Sequence, residues 1–171
     1  MSDEAVRTTI RTPDGRLGFQ EYFVRERLRP TLLEVDMAGG SLAQPSPEVD
    51  AALAEADFVV IGPSNPLISI NPILQVVGPR LHPERTVAVT PIVAGAALKG
   101  PTVEMLRALG SEASPVAIAH SYTHVAGKFV LDSRDARLAP EIEALGYRVI
   151  VCDTVMSDGG AGLAKAILDA V

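Results

Sequence analysis

Asp57-Phe58-Val59-Val60-Ile61-Gly62-Pro63-Ser64-Asn65-Pro66 is the stretch on which the fold turns. Its first half is a short, unbroken apolar run with β-branched side chains, the pattern of a parallel strand buried on both faces. Its second half is a loop. Gly62 permits backbone conformations closed to other residues, while Pro63, Pro66 and the later Pro72 fix φ and stiffen the connection. Ligands of open α/β sheets sit just beyond the carboxyl ends of such strands, which is where this loop falls.

The loop's chemistry suits an anion. Ser64, Asn65, Ser69 and Asn71 offer hydroxyl and amide groups, and the segment that follows begins a helix whose first N–H groups favour negative charge. The same residues also make an ordinary βα turn, so composition alone leaves both readings open. A second loop, Pro91 to Pro101, adds small residues that admit close backbone approach and one cation, Lys99. Lys99 is either a compact donor to phosphate or a surface lysine.

Working outward, apolar runs alternate with amphipathic ones along most of the chain. Val6 to Arg11 reads as an edge strand closed by the turn Thr12-Pro13-Asp14-Gly15. Phe19 to Leu28 has helical spacing, with Phe19, Tyr22 and Phe23 read as core and Arg25, Arg27 and Arg29 as a solvated face. Leu32 to Met37 is a strand, and Ser46-Pro47 opens a helix reaching Ala56. Thr86 to Thr90, Phe129 to Asp132 and Tyr147 to Asp153 are further strands. Helices lie over Pro101 to Leu109, Ser114 to His124 and Pro140 to Leu145, with a last one from Ala161. The sum is an α/β fold with an open sheet of five or six strands.

A chain of 171 residues is one domain able to bury a sizeable core without staples. Its net charge of −6 argues against broad attraction to nucleic acid or an anionic membrane surface. Met1-Ser2-Asp3-Glu4 lacks the basic start of a secretory signal and no apolar run is long enough to span a membrane, so a cytoplasmic protein is expected. The single cysteine, Cys152, allows no intrachain disulfide and reads as a buried strand residue. His120 and His124 stand four apart on the same expected helix, but no third ligand accompanies them, so no metal is assigned. Asp132 and Asp153, at strand ends, read as caps for the following turns. No nucleophile elbow, trusted carboxylate pair or Walker loop appears.

Taken together, Gly62-Pro63-Ser64-Asn65-Pro66 with Ser69-Ile70 and Pro72-Ile73-Leu74, then Thr90-Pro91-Ile92-Val93 and Ala97-Leu98-Lys99-Gly100-Pro101, resemble the 2-phospho-L-lactate transferase family of coenzyme F420 biosynthesis. Phe19 to Arg25, Ile142 to Gly146 and Asp153 to Met156 extend the likeness over nearly the whole chain. The resemblance implies a Rossmann-like, mostly parallel sheet with helices on both faces, forming part of a larger domain. It also implies a transferase taking lactyl- or enolpyruvyl-diphosphoguanosine as donor and the deazaflavin Fo as acceptor, releasing GMP with Mg²⁺ assistance. Gly62, Ser64, Asn65 and Ser69 are then the candidates for holding the diphosphate, with Lys99 as charge partner.

Full-length members open with a glycine-rich strand-loop-helix and an acidic segment, neither of which is seen here. By this resemblance the chain corresponds to the later half, and the family's metal ligands fall outside it. His120-Ser121 stands where the family has an Arg-His pair, and Thr90 where it has serine. Two alternatives follow: a non-catalytic nucleotide-binding module, or a subunit that shares its site with a companion chain or a second copy. Asn65-Pro66 argues against the related UDP-sugar-binding regulators, whose loop differs there.

Overall fold

In a computed structural model of the chain, the structure describes residues 1–40 and 42–171. The strands are β1 (Arg7–Thr12), β2 (Gly15–Gly18), β3 (Glu34–Ala38), β4 (Val59–Ile61), β5 (Thr86–Val89), β6 (Ile92–Val93), β7 (Ala96–Ala97), β8 (Lys128–Asp132) and β9 (Arg148–Cys152). The α-helices are α1 (Pro47–Glu55), α2 (Asn71–Val77), α3 (Thr102–Ala108), α4 (Pro115–Tyr122), α5 (Ala139–Glu143) and α6 (Ala161–Leu168).

The central layer is a four-stranded parallel sheet in the order β4-β5-β8-β9. Strand alternation sends Ile61, Ala88, Phe129 and Leu131 to one face, where they pack with α2, α4 and α5. Val87, Val89 and Val130 turn to the other face, against Leu163 and Ile167 of α6. Helices therefore cover both faces, as a parallel sheet requires. The sheet is narrower than the five or six strands expected, because the N-terminal strands do not join it.

Those strands form a separate three-stranded antiparallel sheet, ordered β2-β1-β3. The expected edge strand is its centre: β1 pairs with β2 on one side and with β3 on the other. Glycines flank β2 and it lacks β-branched residues, so its partner role has no sequence signal. The amphipathic segment after it closes only one wide turn of π-helix, Glu21–Arg25, before Arg27 and Leu28 enter positive φ and end it short of the expected Leu28. This small sheet packs through Ile10, Tyr22 and Leu32 onto Met105 of α3 and onto Leu67 and Ile68. That contact sets the aromatic segment beside the Gly62 loop.

Two cap-and-start pairs are used differently. Ser114 accepts a hydrogen bond from the Ala117 N–H at 3.2 Å, whereas the Ser46 side chain makes no capping bond to α1. Gly127, at the entry to β8, donates its N–H to the Pro83 carbonyl at 2.7 Å, and a Cβ there would lie 2.7 Å from that same oxygen. Gly127→Ala must push backbone apart, and urea denaturation is expected to show a loss on the order of 2 kcal/mol. An unchanged midpoint would contradict this close approach.

Candidate functional site

The Gly62 loop leaves the carboxyl end of β4 and enters a helical run made of a π-turn, Pro66–Ile70, continuous with α2. Asn65 is its N-cap: buried, it accepts from the Leu67 N–H at 2.9 Å through Oδ1, while Nδ2 reaches Met105 Sδ at 3.7 Å. The Ser64 N–H is also used locally, donating to the Gly62 carbonyl at 2.8 Å. Pro66 has no N–H and Leu67's is taken by the cap, so the helix start offers fewer free donors than its composition suggests. The Ser64 and Ser69 side chains remain, the first exposed and the second half-buried.

The second loop is a β6–β7 hairpin, with Ala94 and Gly95 at positive φ forming its two-residue turn. Buried Asp135 accepts the Ala94 N–H at 2.7 Å and pins that turn, a role with no sequence signal because the two residues lie 41 apart. Thr90 is fully buried, its hydroxyl donating to the Ile92 carbonyl at 2.9 Å and accepting from the Ile92 N–H. After β7, Gly100 at φ +68° swings the chain into α3 and leaves Lys99 exposed at the bend.

These two loops meet. Ser64, Asn65, Ser69 and Lys99 line one open cleft of about 270 Å³, together with Gly100 and Pro101. Its other wall is Phe19 and Phe23, stacked with ring centroids 5.6 Å apart and 9° between their planes. Of the three aromatic residues expected in the core, Tyr22 is buried and Phe19 partly so, but Phe23 is 38% exposed and faces the cleft. Gly62 lies apart, in a groove beneath β4, with an ordinary φ and open space where a Cβ would stand. Nothing in the chain's own packing requires glycine there.

Other candidates fall elsewhere. Arg25 is paired with Glu21 and, at 2.9 Å, with Glu26. Helix α4 ends at Tyr122, so His124 lies beyond it and does not share a helical face with His120; both are exposed and outside the cleft. Cys152 is only half-buried, and burial, then the charges of Asp132 and Asp153, push its thiol pKa up and hold it protonated. A larger groove of about 400 Å³ lies between the β6–β7 turn and α4, but its Arg134 and Arg137 face Glu112, Asp135 and Glu141. Three carboxylates against two arginines suit an anion less well than Lys99 in a cleft whose described lining has no carboxylate. That donor set of hydroxyls, an amide and an ammonium does not fit a magnesium ion, which takes carboxylate and phosphate oxygens.

The geometry defines a class: an α/β protein with helices on both faces of a parallel sheet and a polar cleft built from strand-end loops. The profile of the family described as 2-phospho-L-lactate transferase CofD matches residues 1–155, and the chain belongs to that family. A 2-phospho-L-lactate transferase of Methanosarcina barkeri is 39% identical over 159 residues, covering 92% of this chain and 52% of the relative. The Methanocaldococcus jannaschii protein of that name is 32% identical, covering 99% of this chain and 56% of its own length. A phosphoenolpyruvate transferase of Kitasatospora aureofaciens is 34% identical, with 92% and 52% covered. The chain thus spans about half the length of the curated relatives it matches. A UPF0052-family crystal structure from Bacillus halodurans shares the fold, with a TM-score of 0.61 at 17% identity over 98% of this chain and 59% of that one. No helix among the described residues is long and apolar enough to cross a membrane.

Proposed function

We propose that the chain binds the diphosphate of a guanine nucleotide in the cleft between the Gly62 loop and Lys99, as part of a transferase of coenzyme F420 biosynthesis. The donor would be lactyl- or enolpyruvyl-diphosphoguanosine and the acceptor Fo. A ribityl hydroxyl oxygen of Fo forms a bond to the phosphorus nearer the three-carbon acid, the bond from that phosphorus to the oxygen bridging to GMP breaks, and GMP leaves with the bridging electron pair. The hydroxyl proton goes to solvent or to a group outside the described cleft.

One observation carries the reading: Ser64, Asn65 and Ser69 from the segment after β4, and Lys99 from the segment after β7, line one cleft. Phosphoryl transfer needs positioning and charge stabilisation more than a protein nucleophile, and this cleft offers both. Ser64 and Ser69 would donate to phosphate oxygens and Lys99 would balance their charge. Asn65 acts indirectly, since its side chain holds the helix start and so the loop's shape. Gly62 would matter only if a ligand approaches its open Cβ side.

Titration calorimetry with GDP tests this. Lys99→Ala is expected to weaken GDP by about tenfold, close to 1.4 kcal/mol, and Ser64→Ala with Ser69→Ala by a similar factor. UDP should bind the parent chain more weakly. GDP affinity indifferent to all three substitutions would remove the cleft from consideration. A second reading, that the chain supplies half of a shared site, is favoured by its spanning only half the length of its relatives.

A further inference from the structure

A diphosphate uses only part of the cleft's lining. The hydroxyls and Lys99 make one side polar, while Phe19, Phe23, Pro63, Ile68 and Pro101 give the same cleft an apolar side. Phosphate gains nothing from apolar carbon, so this lining suits a ligand with two parts, one anionic and one apolar. The flattest apolar surface is the Phe19–Phe23 pair, with planes 9° from parallel and centroids 5.6 Å apart. A large apolar side chain exposed singly on a surface needs no explanation. Phe23 differs, because it is 38% exposed, stands against a second ring, and lines a cleft that also holds hydroxyls and a cation.

The turn that carries Phe23 is held in place from its other side. Tyr22, its sequence neighbour, is buried in a core with Ile10, Leu32 and Met105. The Tyr22 carbonyl accepts the Leu28 N–H at 3.1 Å, and Arg27 and Leu28, at φ 53° and 61°, fold the chain back to make that bond. Arg25 is tied to Glu21 and Glu26. A ring presented from so fixed a turn needs little ordering when a ligand arrives, which preserves the affinity it can give. Aromatic side chains of this kind hold flat heterocycles by stacking, and a third ring adds readily to two that already lie near parallel.

We infer that Phe23, backed by Phe19, is the stacking platform for the flat heterocycle of a ligand held in this cleft. The inference rests on the diphosphate reading above and adds to it a residue that selects among ligands. The proposed donor and acceptor each carry such a heterocycle, guanine in the one and the deazaflavin ring in the other. What the platform recognises is the same in both, a planar π-face. Stacking depends on ring area and not on the hydrogen-bonding edge of a base, so Phe23 favours a purine over a pyrimidine without telling guanine from adenine. Choice of guanine then falls to other groups.

The test is titration calorimetry of the chain and its Phe23 variants with four probes: GDP, ADP, inorganic pyrophosphate and Fo. Phe23→Ala is expected to weaken either both nucleotides or Fo by about tenfold, and to leave pyrophosphate within about twofold. Phe23→Leu keeps apolar bulk without a flat face and should weaken the same ligand, whereas Phe23→Trp should hold or exceed the parent affinity. A loss confined to GDP and ADP assigns the platform to the base, and one confined to Fo assigns it to the acceptor. Circular dichroism checks that each variant stays folded. Nucleotide and Fo affinities unchanged in Phe23→Ala, full retention in Phe23→Leu, or a pyrophosphate loss as large as the GDP loss overturns the inference. So does the absence of binding by GDP, ADP and Fo alike. The two readings fail separately. Pyrophosphate weakened by Lys99→Ala, with both heterocycles indifferent to Phe23→Ala, removes the platform and keeps the diphosphate site; the opposite pattern keeps the platform and removes the site.

Discussion

Asp132→Ala is expected to lower stability by about 3 kcal/mol, read as a shift of the urea midpoint. The Asp132 carboxylate has no solvent exposure and closes the end of β8 onto the segment after β9. It accepts the Thr154 N–H and hydroxyl, both at 2.9 Å, and the Arg134 N–H and Nε at 2.9 and 3.1 Å. Alanine would leave the buried Thr154 donors unpaired, and that desolvation dominates the loss. Asp132→Asn keeps one acceptor and should lose less.

The same group sets a pH dependence. Burial alone would raise the Asp132 pKa, but the N–H groups of Thr154 and Arg134, the Thr154 hydroxyl and the Arg134 charge outweigh it and hold the pKa below its ordinary value. The folded state therefore binds the proton less readily than the unfolded chain. Its stabilisation is fully present above the unfolded aspartate pKa of about 3.9 and is lost as pH falls through the lower folded value. In Asp132→Asn the acid limb of stability against pH should flatten. An unchanged limb would mean that other carboxylates control it.

Phe129→Ala is expected to cost about 4 kcal/mol, the range for a fully buried ring. The Phe129 side chain is completely enclosed in the core on the α2, α4 and α5 face and meets the Tyr147 ring at 5.5 Å, tilted by 57°. Tyr147 in turn donates its hydroxyl to the Ala119 carbonyl at 2.8 Å, so a cavity there loosens the join of β9 to α4. Phe23→Ala, at the cleft wall, should change stability by less than about 0.5 kcal/mol, because its ring is already partly in water. If the two substitutions destabilise equally, the assignment of Phe129 to the core and Phe23 to the cleft is wrong.

What the sequence made legible is local. The strands β5, β8 and β9 announce themselves by apolar runs, α1 and α4 by Ser-Pro starts, and the Gly62 loop by its prolines. The cleft was half legible: Ser64, Asn65, Ser69 and Lys99 carry polar groups at loops, and polar loop residues can be picked out singly. That they face one another depends on how the small antiparallel sheet packs against α3. This is set by contacts between Ile10, Tyr22 and Met105, far apart in the chain. The same distance hides the pairing of β1 with β3, the pin from Asp135 to Ala94, and the turn of Phe23 toward the cleft. Apolar composition marked Val59 to Ile61 as a strand buried on both faces. It could not reveal that β4 is an edge here, because composition does not report which sides of a strand are paired.

The most direct measurement is an amide-resolved NMR titration of the chain with GDP. The resonances of Ser64, Ser69, Lys99 and Gly100 should move together along one binding curve, with little change around Ala94, Gly95 and Arg134. Movement confined to the latter groove, or no saturable movement at either place, would contradict a diphosphate held between the Gly62 loop and Lys99.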